Sequence, residues 1–293
     1  MFIATLIAAD RLTRGDISVA RDALRGAGIE PGREQWVEQA SACDLPFEAG
    51  PTAARAALEG LIAGVDAVVQ PLAGRARRLL AADMDSTMIE VECIDELADY
   101  AGVKAEVAAV TARAMRGELD FEAALDARLA LLEGLDEGVI DRCRADRVTL
   151  TPGARTLVRT MRAKGAWCLL VSGGFTHFAE PVAEALGFDA VAANRLVIAG
   201  GRLSGSVHRP VVGALGKKQA MLEAAAARSV AAGAILAVGD GANDIPMLEA
   251  AGLGVAYRAK AAVAAAADAR IEANDLTALL YLQGYPRRAW SSD

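Results

Sequence analysis

Long apolar runs are missing from this chain. No stretch approaches the roughly 18 uninterrupted apolar residues that span a bilayer. Hydrophobic residues still make up 54% of the 293, but much of that is alanine, which signals helix and close packing more than membrane. The opening MFIATLIAAD is apolar, yet no basic residue precedes it and Asp10 ends it. It reads as a first strand rather than a leader. Basic clusters are missing too. The formal charge is −7, and RARR at 75–78 is too short to make a nucleic-acid footprint. Cysteine is scarce: Cys43, Cys93, Cys143 and Cys168 are scattered, with no C-x-x-C pair. A reduced cytoplasmic protein without a structural zinc fits this usage. Histidine occurs twice, and His177, in the first turn of a helix, reads as incidental rather than catalytic.

What is present is long enough for more than one domain. Residues 1–74 read strand, helix, strand, strand, helix, strand, a small α+β unit of the split β-α-β kind. It holds no catalytic constellation. From RARRLLAADMD onward, strands alternate with helices. The apolar runs RLLAADMD, AWCLLVSGG and GAILAVGDG each end on polar residues and glycine, as strands buried on both faces of a parallel sheet do. The expected fold is α/β, a doubly wound parallel sheet that binds ligands at the carboxyl ends of its strands. Two domains are expected, 1–74 and 75–293. Residues 90–148 are helical in period and too long for an ordinary loop, so they read as a helical cap inserted after the first strand. A second insertion, 192–212, reads as a hairpin turning at Gly200 and Gly201.

The chemistry lies at the strand ends. Asp83 and Asp85 sit two apart in ADMDST. Turn acids are common after strands, but adjacent carboxylates repel unless a hard cation relieves them. One could then attack phosphorus while the other, turned away, handles the proton. GDGANDIPML places Asp240 at a strand end and Asp244 four residues on. Asp83 with Asp240 supplies the one or two carboxylates that Mg²⁺ usually takes. LVSGG puts Ser172 and Gly173 ahead of a helix, where an N-cap or an anion site is equally at home. Lys217 and Lys218 open an alanine-rich helix, and one of them could clamp a phosphoryl group. Glu92, two helical turns beyond the Asp pair, and Arg128 are by base rate surface charges.

In that order, D-x-D-S-T, S-G-G, a helix-opening lysine and G-D-G-x-N-D resemble the haloacid dehalogenase-like phosphatases. DMDSTMIEVECIDELA, FEAALDARLALL, VSGGFTHF and VGDGANDIPMLEAAGLGVAY narrow the resemblance to their phosphoserine phosphatase branch, over about residues 78–283. The N-terminal unit is similar to the ACT-like extension of some bacterial members. The resemblance implies that Asp83 is the nucleophile and forms an aspartyl-phosphate. It makes Asp85 the general acid and then the base. It puts Mg²⁺ on the Asp83 carboxylate, the Asp85 main-chain carbonyl and Asp240. Ser172, Gly173 and Lys218 would hold the phosphoryl oxygens, Lys218 rather than Lys217 by its spacing to Leu222. Asn243 would touch the substrate, and Asp244 would support the metal or the lysine. Glu92 would face the substrate ammonium and Arg128 its carboxylate, with Met115 and Phe121 closing the pocket. The implied reaction is hydrolysis of O-phosphoserine, the last step of serine biosynthesis.

Alternatives remain at this level. A phosphotransferase, or a phosphatase for another small phosphomonoester such as homoserine phosphate, uses the same groups. A receiver module shares the clustered aspartates but has no cap and is far shorter. An amino-acid-binding regulator with the N-terminal unit as sensor would bind without turnover. A homodimer is compatible with the sequence. The N-terminal unit supplies none of the reacting groups, so a chain beginning near Gly74 should keep the chemistry if it remains soluble.

Overall fold

The computed structural model describes residues 1–115 and 118–291, the side chain of Met115 excepted. The N-terminal part runs β1 (Phe2–Ala8), α1 (Arg14–Gly26), β2 (Gln35–Glu38), β3 (Ala42–Phe47), α2 (Pro51–Leu58) and β4 (Val65–Pro71). Its antiparallel sheet has the order β2-β3-β1-β4, as expected for a split β-α-β unit. Thr13 and Asp16 form a capping box that starts α1. Ile17, Ala20 and Leu24 give α1 one apolar stripe, which packs on one face of the sheet with Ala4, Leu6, Cys43 and Leu45. Strand side chains alternate between faces. The other face of this sheet presents Ile7, Ala42 and Val68, and these join the buried core of the rest of the chain.

The second part opens with β5 (Leu79–Ala82). Four cap helices follow, α3 (Cys93–Ala101), α4 (Lys104–Met115), α5 (Phe121–Ala130) and α6 (Gly138–Arg147). The helical reading of 90–148 therefore matches the architecture. The chain returns through α7 (Ala154–Ala163), β6 (Trp167–Phe175), α8 (Thr176–Leu186) and β7 (Ala190–Asn194). The hairpin β8 (Leu196–Ala199) and β9 (Arg202–Val207) turns at Gly200 and Gly201, both at positive φ, where glycine is favoured. Next come α9 (Ala214–Ala227), β10 (Ile235–Gly239), α10 (Ile245–Ala250), β11 (Leu253–Tyr257), α11 (Ala261–Ala266), β12 (Ala269–Ile271) and α12 (Ala278–Tyr281).

The main sheet is parallel, in the order β12-β11-β10-β5-β6-β7. From β5 the chain builds outward through β6 and β7, then crosses back to build β10, β11 and β12 on the other side. That reversal leaves a crevice beyond the carboxyl ends of β5 and β10. The four residues of β5 are fully buried, which accounts for its uninterrupted apolar run. The short strands β7, β11 and β12 carry weak apolar signals, AVAAN, LGVAY and ARI, and the apolar runs alone do not mark them.

Among the described residues, no helix is long and apolar enough to cross a membrane. The four cysteines are buried and unpaired.

Candidate active site

The ladder between β5 and β10 continues one step past the strands, where Asp83 N–H donates to the Val238 carbonyl at 3.0 Å. Asp83 and Asp240 are thereby presented side by side at the crevice. Beyond Asp83 the backbone makes a π-type turn over Met84–Met88, with Ser86 at φ 55°. The turn aims Asp85 over β6 and returns Thr87 to the metal side, where its hydroxyl donates to Asp240 Oδ1 at 2.9 Å. Glu92 is reached by this tight turn, not by two turns of helix, and sits in extended backbone before α3. There its Oε1 accepts from Ser86 Oγ at 2.6 Å.

Behind the carboxylates lies a buried ion triad. Lys217 Nζ donates to Asp83 Oδ1 at 2.6 Å and to Asp244 Oδ1 at 2.7 Å, and neither Lys217 nor Asp244 has any solvent access. Lys218, expected to hold the phosphoryl oxygens, makes neither of these bonds; Lys217 is the lysine that meets Asp83. On α9 the inward stripe is Lys217, Met221 and Ala225, spaced by four as one helix face requires. Lys218 and Leu222 lie on the neighbouring, half-exposed stripe, so spacing to Leu222 selected the wrong face.

Asp244 has its second oxygen on Gly241 N–H at 3.0 Å, so it serves the lysine and the turn. Gly239 is required for this arrangement, since a Cβ there would come within 2.4 Å of Asp244 Cγ.

Burial and the Asp244 carboxylate push the Asp83 carboxyl up, with Lys217 pulling against them. For Lys217, burial would lower the ammonium, but Asp83 and Asp244 hold it above its usual range. Burial, then Glu92, pushes Asp85 up to about 7, and burial pushes Asp240 up to about 6. Among the described residues, no cation is bonded to this carboxylate group on its open side. Asp83, Asp240 and Asp244 offer oxygens that lie within 4.8 Å of one another. An all-oxygen donor set of this kind suits a hard divalent cation.

A cavity of about 130 Å³ opens above the pair. Asp83, Asp85, Asp240, Gly173 and Asn243 form its polar end, and Glu92, Phe121 and Arg128 come from the cap side. Arg128 reaches it from α5, its Nε bonded only to the Ala124 carbonyl at 3.2 Å. Burial lowers its guanidinium from the usual range, with Asp95 and Glu92 opposing. Arg128 lines the cavity and makes no ion pair among the described residues. Ser172 is fully buried, its Oγ accepting from Gly174 N–H at 2.8 Å. Met115 ends α4, but its side chain lies outside the described residues.

Three participants carry little or no sequence signal. Gly174 lines the cavity, and a Cβ on it would sit 2.8 Å from Asp85 Oδ2 and 3.0 Å from Ser172 Oγ. The doubled glycine was the available clue. Asn194, 2% exposed, donates to the Gly173 carbonyl at 2.9 Å and accepts from Val212 N–H at 2.7 Å. Nothing in its sequence neighbourhood marks it. Thr87 could have been drawn from the hydroxyls that follow the Asp pair.

Residues 80–249 match the family model of the haloacid dehalogenase-like hydrolases. A phosphoserine phosphatase of Streptomyces coelicolor is 48% identical over 82% of this chain, and the match spans 59% of that relative, less than two thirds of its length. A phosphoserine phosphatase of Albidiferax ferrireducens is 46% identical over 70% of this chain and 89% of the relative. An HAD-family hydrolase from Salmonella enterica serovar Typhi superposes with a TM-score of 0.83 at 29% identity, covering 96% of this chain and 98% of the other. The N-terminal sheet is thus part of the shared architecture. The chain belongs to the haloacid dehalogenase-like hydrolase family.

Proposed function

We propose that this chain is a Mg²⁺-dependent phosphatase that hydrolyses O-phosphoserine through an aspartyl-phosphate on Asp83. The observation that carries the reading is the cavity itself. It sets one anion, Glu92, and one cation, Arg128, that makes no ion pair among the described residues, on the cap side of the Asp83–Asp85 pair. A phosphomonoester with an ammonium and a carboxylate on one carbon needs that pair, and an apolar or neutral ester does not. Relatives named phosphoserine phosphatase support it.

In the first step an Asp83 carboxylate oxygen attacks phosphorus in line, and the bond from phosphorus to the serine oxygen breaks. Asp85 delivers its proton to that leaving oxygen. In the second step Asp85, now a carboxylate, takes a proton from water. The hydroxide attacks phosphorus, and the bond from phosphorus to Asp83 breaks, releasing phosphate. Lys217 holds Asp83 Oδ1, fixing the carboxylate plane, and Met84 N–H supports the same oxygen at 2.8 Å. Gly173 and Gly174, at the end of β6, border the phosphoryl end of the cavity with Asn243. Asp83, Asp240 and the Asp85 main-chain carbonyl would hold Mg²⁺, which would offset charge on the phosphoryl oxygens. Phe121 packs over Gly173 and Gly213 and shields the reacting end from water. The buried, unpaired cysteines support a reducing, cytoplasmic setting.

The test is phosphate release with and without Mg²⁺ from phosphoserine, O-phosphoethanolamine, homoserine phosphate and p-nitrophenyl phosphate. The expected result is Mg²⁺-dependent turnover with phosphoserine highest in kcat/KM. Preference for homoserine phosphate, or turnover indifferent to Mg²⁺, would overturn the assignment.

A further inference from the structure

The hairpin β8–β9 belongs by sequence to the core, being inserted after β7, yet its hydrogen bonds go to the cap. Gly134 N–H donates to the Leu203 carbonyl at 2.8 Å, Leu203 N–H to Leu135 at 2.9 Å, and Glu137 N–H to Gly201 at 2.9 Å. Arg202 adds a bond to the Gly134 carbonyl at 2.7 Å. The segment that leaves this hairpin, residues 208–213, touches α5 on one side and Gly173 on the other.

Both ends of that segment are fastened, to different bodies. Near its start, Arg209 donates to Glu122 Oε2 at 2.7 Å and to both Asp126 oxygens at 2.8 and 2.6 Å. Glu122 and Asp126 are four apart, so they lie one above the other on α5, the helix that carries Phe121 and Arg128. Near its end, Val212 is held by the buried Asn194 amide, whose Nδ2 also donates to the Gly173 carbonyl. At Gly213 the strap touches the cap a second time, since a Cβ there would lie 2.9 Å from Phe121 Cδ1.

We propose that residues 208–213 are a strap in which Arg209 is a positioning residue for substrate specificity. It fixes the height of α5 above Gly173, and so the distance between the Arg128 guanidinium and the phosphoryl site. A substrate read at both ends needs that distance fixed; an ester read only at its phosphate does not. The side chains of Arg209, Glu122 and Asp126 are 46%, 64% and 48% exposed, so each contact alone is weak. One guanidinium grips two acids on successive turns, Nη1 on Glu122 and Nη2 on Asp126, and such a network is where exposed ion pairs matter.

The kinetic arm rests on the phosphoserine reading; the exchange arm does not. Arg209→Ala should raise amide hydrogen exchange across residues 121–130 while the β5 and β10 amides stay protected. It should lower kcat/KM for phosphoserine about 10-fold, chiefly through KM, and change O-phosphoethanolamine by less than about twofold. Arg209→Lys should recover part of the loss, because a lysine reaches one acid at a time. Asp126→Asn, a surface change on the opposite partner, should reproduce the pattern more weakly. In an Arg128→Ala background, Arg209→Ala should add nothing on phosphoserine, because the group it positions is gone. Unchanged exchange in α5, equal losses on both esters, or losses that multiply in the double variant would each overturn the strap. Absence of phosphoserine turnover in the unmodified chain would sink the functional reading and leave exchange to decide the strap.

Discussion

Lys217 Nζ bridges Asp83 and Asp244 at 2.6 and 2.7 Å in a place closed to solvent. Removing it strands two buried carboxylates, a change worth about 3–5 kcal/mol where one partner of a buried pair is lost. Lys217→Met should therefore abolish turnover and lower the melting temperature. Lys218→Ala should stay within about twofold of the parent in kcat and melt with it. Kinetics and thermal melts of the two variants, side by side, check the assignment. Loss at Lys218 with tolerance at Lys217 would reverse it.

Among the described residues, Asp85 differs from Asp83 in having no cation in hydrogen-bond contact; its Oδ1 accepts from Cys93 N–H at 3.4 Å. That suits a proton carrier. Asp83→Asn should lose activity on every ester, because an amide cannot carry the phosphoryl group. Asp85→Asn should lose most on phosphoserine, whose alkoxide must be protonated as it leaves, and less on p-nitrophenyl phosphate, whose leaving group needs no proton. Equal losses on the two esters in Asp85→Asn would argue against the acid role.

Arg128 lines the cavity without an ion-pair partner among the described residues, and on the proposed reading it binds the substrate carboxylate. Its removal leaves that carboxylate desolvated and alone, at about 2–5 kcal/mol. On phosphoserine kcat/KM should fall by roughly one and a half to more than three decades, while O-phosphoethanolamine, which lacks the carboxylate, changes little. Parallel losses would mean that Arg128 serves the cap rather than the substrate.

How much of this was legible in the sequence depends on what each residue's signal is made of. Asp83, Asp85, Asp240 and Asn243 announce themselves because each follows an apolar run that ends in glycine or hydroxyl residues, and the parallel sheet gathers strand ends into one crevice. The lysine was misassigned because two adjacent lysines differ by about 100° around a helix, and only the packing of Met221 and Ala225 tells which faces in. Asn194 was invisible because its role is set by residues 18 and 21 positions away. Ser172 was read as a phosphoryl contact; it is fully buried, and Gly174, which the sequence reading did not single out, lies on the cavity wall beside it.

Gly174 converts that difference into an expectation. A methyl group there would press on Asp85 Oδ2 at 2.8 Å, on Ser172 Oγ at 3.0 Å and on Met84 Cε at 3.2 Å. The backbone is rooted in β6, so the movable Asp85 carboxylate gives way. A displacement on the order of 1 Å in a reacting group can cost about 100-fold. Gly174→Ala should lower kcat by about that factor and leave the melting temperature within a few degrees of the parent. A fully active Gly174→Ala protein would show that Asp85 does not need its observed position.

The N-terminal unit contributes no reacting group, yet the condition that a chain without it stays soluble meets a physical obstacle. Its second sheet face is buried against the other part, with Ile7, Ala42 and Val68 in the same cluster as Leu279, Leu280 and Leu282. The Asp66 carboxylate accepts from the backbone N–H groups of Glu272, Ala273 and Asn274, and from Asn274 Nδ2. Gln70 donates to the Leu282 carbonyl at 2.7 Å and accepts from Arg77 at 2.7 Å. A chain starting near Gly74 would expose the α12 face and strand these polar groups, so it should aggregate or melt far below the full chain. Asp66→Ala tests the same interface without truncation. Leaving several buried donors unpaired costs about 1–3 kcal/mol or more, which should lower the melting temperature by roughly 5–10 °C. The active-site groups are untouched, so kcat at a temperature where the protein is folded should stay within about twofold. A stable, fully active protein lacking residues 1–74 would show that the shared core is dispensable.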